Sequence, residues 1–357
     1  MKIFNFSPGP AMLPYEVKLQ AQKELLNYNS SGMSVMEMSH RSKVYESIHN
    51  EAVALLKELM QLNDYYYILL LQGGASMQFE AVPLNLMQNG KADYIVTGNF
   101  ALKAYKEAKK YGEVAEIASS KDANFTYIPN VDNLSLTEGA DYLHITSNNT
   151  IFGTKYSKFP KVEIPLVADM SSNILSEAMD YNQFGLIYAG AQKNLGIAGL
   201  TIVVVKKALT ENPMPICPTM LKYATMAKDN SLYNTPSTFS IYIAMLTLRW
   251  IKSIGGIAEI ERRNQEKAGL LYDFIDNSSF YKNPVRPCDR SIMNVPFVTP
   301  CAELDAKFIK EAEGYGLLTL KGHRLVGGMR ASIYNAMPAE GVIALIEFME
   351  KFELENA

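Results

Sequence analysis

Three short segments carry residue types that could do chemistry together. Gln72-Gly73-Gly74-Ala75-Ser76-Met77-Gln78-Phe79 follows an apolar run and opens a helical stretch. Glycines there let the backbone come close to a ligand, and the free N–H groups of a helix start suit a phosphate. The segment matches neither the dinucleotide fingerprint nor a Walker motif. On its own it reads more readily as a strand-to-helix turn that needs glycine for its geometry. Asp169 closes another apolar run, the position at which open α/β sheets place their ligands. An N-cap or turn is the plainer role for an Asp followed by Ser171 and Ser172. Lys193 lies in Ala189-Gly190-Ala191-Gln192-Lys193-Asn194-Leu195-Gly196, among small residues between two apolar runs. Partial burial there would lower its pKa and favour Schiff-base chemistry, although a loop lysine can also reach solvent along its stem. The combination says more than its parts. A phosphate-binding turn, a strand-end carboxylate and a lysine 24 residues after it are what pyridoxal phosphate (PLP) requires. The lysine forms the Schiff base, the carboxylate keeps the pyridine nitrogen protonated, and the turn anchors the phosphate.

The elements around these segments form a pattern. Runs at Tyr65–Leu71, Tyr94–Thr97, Tyr142–Thr146, Ile164–Ala168, Leu186–Ala189 and Thr201–Val205 read as strands, mostly apolar on both faces. Helical spacing appears between some of them, in Ser42–Gln61 and in the lysine-rich Ala101–Tyr111. The alternation predicts a mainly parallel α/β sheet. After Pro236 the texture changes. A buried helix, Thr238–Ile254, is broken by Gly255-Gly256 and followed by a second, Ile257 to about Asp276. Then come a strand (Ile292–Val298), a helix (Ala302–Tyr315), a strand near Met329–Ile333 and a closing helix, Pro338–Phe352. This order predicts a smaller α+β domain from about residue 258.

A chain of 357 residues exceeds the ~250–300 at which one core usually stops growing, so two closely packed domains are expected. The apolar share of 48% is enough to build a large core, and the charged share of 20% gives no reason to invoke disorder. A net charge of -3 with no basic block argues against a nucleic-acid binder. The N-terminus lacks the apolar core of a secretory signal, and the longest apolar run, Tyr65–Leu71, is too short to cross a bilayer. Both features point to the cytoplasm and away from membranes. Cys217, Cys288 and Cys301 are too scattered for a disulfide framework or a zinc site, and are expected to be small buried hydrophobes.

Several motifs together resemble the phosphoserine aminotransferases, a class V family of the fold-type-I PLP-dependent transferases, over essentially the whole chain. They are Asn5-Phe6-Ser7-Pro8-Gly9-Pro10, Met38-Ser39-His40-Arg41-Ser42, Gln72-Gly73-Gly74-Ala75-Ser76, Val167-Ala168-Asp169-Met170-Ser171-Ser172, Gln192-Lys193-Asn194, Asn234-Thr235-Pro236, Lys321-Gly322-His323-Arg324 and Gly327-Gly328-Met329-Arg330-Ala331-Ser332. The resemblance implies a large PLP-binding domain over residues 16–257 with a seven-stranded sheet. Residues 1–15 and 258–357 would form the small domain. It implies that Lys193 is the Schiff-base lysine and Asp169 the pyridinium partner. The Ala75 and Ser76 backbone, with Gln192, would hold the cofactor phosphate, and Thr150 would contact the ring oxygen region. Phe100 would stack on the ring, where many members have tryptophan. Asn234 and Thr235 would reach the phosphate from the other subunit of a homodimer. Some members carry an arginine where Ser76 stands.

Two of the four histidines, His40 and His323, are each followed by arginine. Arg forks match phosphate oxygens in a bidentate way, yet unrelated surface pairs would be the default reading. With the resemblance, His40, Arg41, His323 and Arg324 are expected to bind the phosphate of 3-phosphohydroxypyruvate. Arg41 would also meet the distal carboxylate of L-glutamate, and Arg330 would clamp the α-carboxylate. The same pocket could accept the 4-phosphohydroxythreonine skeleton of vitamin B6 synthesis. A serine–pyruvate-type aminotransferase would not need the two His-Arg pairs. A cysteine desulfurase would need a reactive loop cysteine, which Cys288 and Cys301 do not suggest. A non-catalytic homologue would be expected to lack Lys193 or Asp169, and both are present.

Overall fold

The computed structural model describes residues 2–357. In chain order the elements of the first two thirds are β1 (Phe4–Asn5), α1 (Tyr15–Glu24), α2 (Lys43–Leu59), β2 (Tyr66–Leu71), α3 (Gly74–Leu86), β3 (Lys91–Val96), α4 (Asn99–Ala108), β4 (Glu113–Ser119), β5 (Leu143–Thr146), β6 (Leu166–Asp169), β7 (Leu186–Gly190), β8 (Thr201–Lys206) and α5 (Tyr223–Lys228). They are followed by α6 (Thr238–Ser253), α7 (Gly256–Asn277), β9 (Asn294–Phe297), α8 (Ala302–Gly314), β10 (Leu317–Leu318), β11 (Met329–Ser332) and α9 (Ala339–Asn356).

Seven strands form one sheet in the order β2-β8-β7-β6-β5-β3-β4. Strands β3 to β7 run parallel, and β8 alone is inverted, pairing antiparallel with both β7 and β2. The fold is therefore α/β with a mainly parallel sheet, as the alternating texture predicts. Successive strand residues serve opposite faces. Ile68, Leu70, Ile202 and Val204 pack under α2 and α6, while Leu69 and Val203 pack under α3 and α4. A sheet covered on both sides buries nearly every strand side chain. Each Val, Leu or Ile so buried contributes about 1.5–3 kcal/mol relative to exposure.

Strand β4 went unread because Glu113 is exposed and the strand lies at the sheet edge, paired only with β3. An apolar-run criterion finds β2, the other edge, whose side chains are apolar, and passes over a strand that shows carboxylates to solvent. Asp169, expected just beyond its strand, is the last residue of β6.

Gly255 and Gly256 have φ of 116° and 75°, and the chain turns through 85° between α6 and α7. Among the described residues no single helix is long and apolar enough to cross a membrane. A second apolar cluster gathers residues of α7, β9, α8, β11 and α9 around Phe308, which meets Tyr281, Phe297 and Phe352 edge-on. The N-terminal strand β1 joins it by pairing in parallel with β10. The cysteine expectation holds only for Cys217. Cys288 and Cys301 are exposed, in a short 3-10 turn and at the solvent-facing start of α8.

Candidate active site

The sheet delivers its chemistry at one end. Register aligns Thr146, Asp169 and Tyr188 across β5, β6 and β7. Their side chains therefore share a face, with Thr146 and Asp169 at the carboxyl ends of their parallel strands. Asp169 is buried, and its Oδ1 accepts the Ser171 N–H at 2.9 Å. Burial raises its carboxyl pKa, offset in part by the Ser171 hydrogen bonds and by the charge of Lys193.

Lys193 sits in the turn between β7 and β8, which the Leu195 N–H closes onto the Ala191 carbonyl. Its Nζ donates to Thr150 Oγ1 at 2.7 Å and lies 5.6 Å from the centre of the Phe100 ring. Burial pulls its pKa down to about 8, with Asp169 raising it and Arg330 lowering it. A lysine so placed is partly neutral near physiological pH, which a nucleophile or base requires.

Helix α3 opens at Gly74 after Gly73, whose φ of 94° a side-chain-bearing residue would resist. The first-turn N–H groups of Ala75 and Ser76 have no partner within a helix, and both residues line the same cavity as Lys193. Arg330, on β11, is 5% exposed; its Nη1 donates to the Thr150 carbonyl at 3.3 Å, and its Nε is buried without a partner. An unpaired guanidinium nitrogen in a cavity is a standing offer to a carboxylate.

The cavity measures about 300 Å³ and brings Ala75, Ser76, Phe100, Thr150, Asp169, Gln192, Lys193, His323 and Arg330 together. A lysine, a buried carboxylate, a helix start and an arginine with an unpaired Nε line one space from four separate stretches of chain.

The class-V aminotransferase family model matches residues 3–345. The chain belongs to the class-V aminotransferases. It is 57% identical over 357 residues to a phosphoserine aminotransferase of Bacillus cereus, covering 99% of each chain. The solved phosphoserine aminotransferase of Bacillus circulans subsp. alkalophilus superposes with a TM-score of 0.98 at 48% identity, over 100% of this chain and 99% of that one. A PLP-bound phosphoserine aminotransferase from Trichomonas vaginalis superposes at 0.94 with 40% identity, over 98% and 100%.

Five expected site residues lie outside the cavity of this class-V aminotransferase chain. Asn234 and Thr235 are exposed; Thr235 offers its carbonyl to Gln72 Nε2 at 2.8 Å, and Asn234 lines a separate cavity of about 340 Å³. Arg41 is exposed, and His40 is half-buried with an unpaired Nε2, both before α2. Arg324 is exposed beside His323. Of the two His-Arg pairs, one chain therefore brings only His323 to the cavity wall. Burial lowers the His323 pKa, helped by Arg330, Arg324 and Lys103.

Other lining residues escaped the sequence reading. Pro8 and Gly9 form a strap over the lysine: a Cβ on Gly9 would stand 3.3 Å from Lys193 Cγ. Thr146 also lines the space, and its Oγ1 is buried and unpaired. The strap belongs to a conspicuous Pro-Gly-Pro motif, which was the available signal. A lone threonine in an apolar strand offers none.

Proposed function

We propose that this class-V aminotransferase uses PLP to move the amino group of L-glutamate to 3-phosphohydroxypyruvate. The products are O-phospho-L-serine and 2-oxoglutarate, a reaction of L-serine biosynthesis. The observation that carries the reading is the meeting of Lys193, Asp169 and Arg330 in one cavity, in a chain alike over its whole length to phosphoserine aminotransferases.

The residues present fit the cofactor. The start of α3 offers unpaired N–H groups to a phosphate. Asp169 is a buried carboxylate without an arginine partner, suited to a cationic ring nitrogen. Phe100 offers a ring face beside Lys193. When bound, PLP supplies an aldehyde that condenses with amines and a ring that draws electrons from the neighbouring carbon.

The chain's own residues do the rest. Asp169 would hold the proton on the ring nitrogen. The Lys193 Nζ would move the proton between the substrate Cα and the adjoining cofactor carbon, acting as general base and then as acid. Thr150 Oγ1 orients that amine. Arg330 Nε and Nη atoms clamp the α-carboxylate that both substrates share. Ala75, Ser76 and Gln192 anchor the cofactor phosphate.

His323 and Arg324 meet the substrate phosphate. His40 and Arg41 complete that pocket, and Arg41 alternately meets the distal carboxylate of glutamate. The exposure of Arg41, Asn234 and Thr235 suits a homodimer in which each chain completes its neighbour's site. Residues 16–257 and the pair 1–15 and 258–357 act as the two domains, a division supported by the β1–β10 pairing and the second core. The same pocket extends to the 4-phosphohydroxythreonine skeleton of vitamin B6 synthesis, and the enzyme works in the cytoplasm.

The test is a coupled glutamate assay comparing 3-phosphohydroxypyruvate with pyruvate. A strong preference for the phosphorylated acid is expected, and equal use of pyruvate would refute the substrate assignment.

A further inference from the structure

Two consecutive residues after β11 hold both flanks of Lys193. The Asn335 N–H donates to Asn194 Oδ1 at 3.1 Å, and Asn194 is the next residue after the lysine. On the other flank, the Tyr334 hydroxyl donates to the Pro8 carbonyl at 2.8 Å, and the adjoining Gly9 packs on the lysine stem. That hydroxyl also accepts Asn294 Nδ2 at 3.2 Å and has the Thr150 side chain as a neighbour. Thr150 in turn accepts the Lys193 amine.

The turn bearing Tyr334 and Asn335 is anchored from α7. Lys267 Nζ donates to the carbonyls of Ile333, Tyr334 and Met337 at 3.1, 2.8 and 2.9 Å. One turn earlier on the same helix, Asn264 Nδ2 donates to Asn335 Oδ1 at 2.8 Å. Asn335 Nδ2 is satisfied by the Leu175 carbonyl at 2.9 Å. Tyr334, Asn335, Asn264, Lys267 and Asn194 are all buried.

A lysine at a buried helix position is costly unless every donor is used. Burial pulls the Lys267 pKa down to about 7; in its ammonium form, three N–H groups match three turn carbonyls outside helix and strand, of which Tyr334's also accepts the Met337 N–H at 2.9 Å. An apolar residue would pack this helix more simply. The polar choice fixes one conformation of the turn.

We propose that the 333–337 turn positions the Lys193 amine, with Tyr334 as its working contact and Lys267 as its anchor. Tyr334 and Lys267 are positioning residues: they act through Thr150, Asn194 and the Pro8–Gly9 strap. The inference rests on Lys193 being the working amine of the proposed function.

Tyr334→Phe removes one hydroxyl and keeps the ring. Loss of one hydrogen bond at this junction is expected to lower kcat roughly five- to tenfold, with KM for both substrates within about twofold. In the cofactor-free protein, Lys193 reactivity toward reductive methylation is followed against pH by peptide mass mapping. Loosening the strap admits water, so the midpoint should rise from about 8 toward 10.5. Lys267→Met should move both readouts the same way. If it fails to fold, Tyr334→Phe decides alone. Wild-type kcat and midpoint in Tyr334→Phe would overturn the inference, as would a lower kcat with an unmoved midpoint and a reduced Tm, which would mark a purely structural role. Borohydride reduction of the holoenzyme keeps the two readings apart, because label on another lysine would sink the assignment of Lys193 itself.

Discussion

The titration of Lys193 is the most direct measure of how the site prepares its amine. Burial takes its pKa from the ordinary 10.5 to about 8. At about 1.4 kcal/mol per pH unit, that fall sets about 3 kcal/mol against the charged form. At pH 7 such an amine is about 9% neutral, against about 0.03% for a solvent-exposed lysine, a gain of about 300-fold in the reactive form. Two neighbours pull in opposite directions, Asp169 favouring the ammonium and Arg330 opposing it. Asp169→Asn should therefore move the midpoint below 8, and Arg330→Gln above it. The assay is reductive methylation of the cofactor-free protein across pH 6 to 11, followed at the Lys193 peptide with a denatured control at each pH. A midpoint near 10.5 in the folded protein, or variants that shift the same way, would refute the account. The linkage sign follows. Because the folded value lies below the unfolded one, the unfolded chain binds more protons between pH 8 and 10.5. The destabilising contribution of this lysine is complete below about pH 8 and disappears as pH rises through 10.5.

Further perturbations address the remaining roles. Lys193→Ala should leave no borohydride-stable link to PLP and reduce transamination by at least roughly a hundred- to ten-thousandfold, measured by coupled assay, while retaining some cofactor through phosphate contacts. Arg324→Ala should raise KM for 3-phosphohydroxypyruvate about ten- to a hundredfold and affect the glutamate half-reaction less, as single-turnover spectra of each half would report. Dilution to monomer should release PLP if Asn234 and Thr235 complete the partner's phosphate site. Sedimentation showing a fully active monomer would contradict the shared site.

What could be read in the sequence follows from how local each signal is. Strands such as β7 and β8 declare themselves, because burial on both faces demands an unbroken apolar run. The edge strand β4 must tolerate solvent, and its glutamates hide it. Helix α2 shows its spacing, whereas α1 follows Pro14 with no side-chain cap and exposes Tyr15 and Leu19. The same distinction divides the site. Lys193 and Asp169 stand out as candidates only in combination, because a lysine among small residues, a carboxylate closing an apolar strand and a glycine turn together suit one cofactor. The expected cationic pocket was legible only as residue types. Sequence cannot say that Arg41 and Arg324 face solvent in one chain, a placement that suits the proposed completion of the pocket by a second chain. Tyr334, Lys267 and Asn264 carried no local anomaly at all. A tyrosine after a strand and a lysine on a long charged helix are ordinary in sequence. They acquire a role only when α7 and the 333–337 turn meet beside the lysine loop, so the groups that steady the chemistry are the ones that tertiary structure alone assembles.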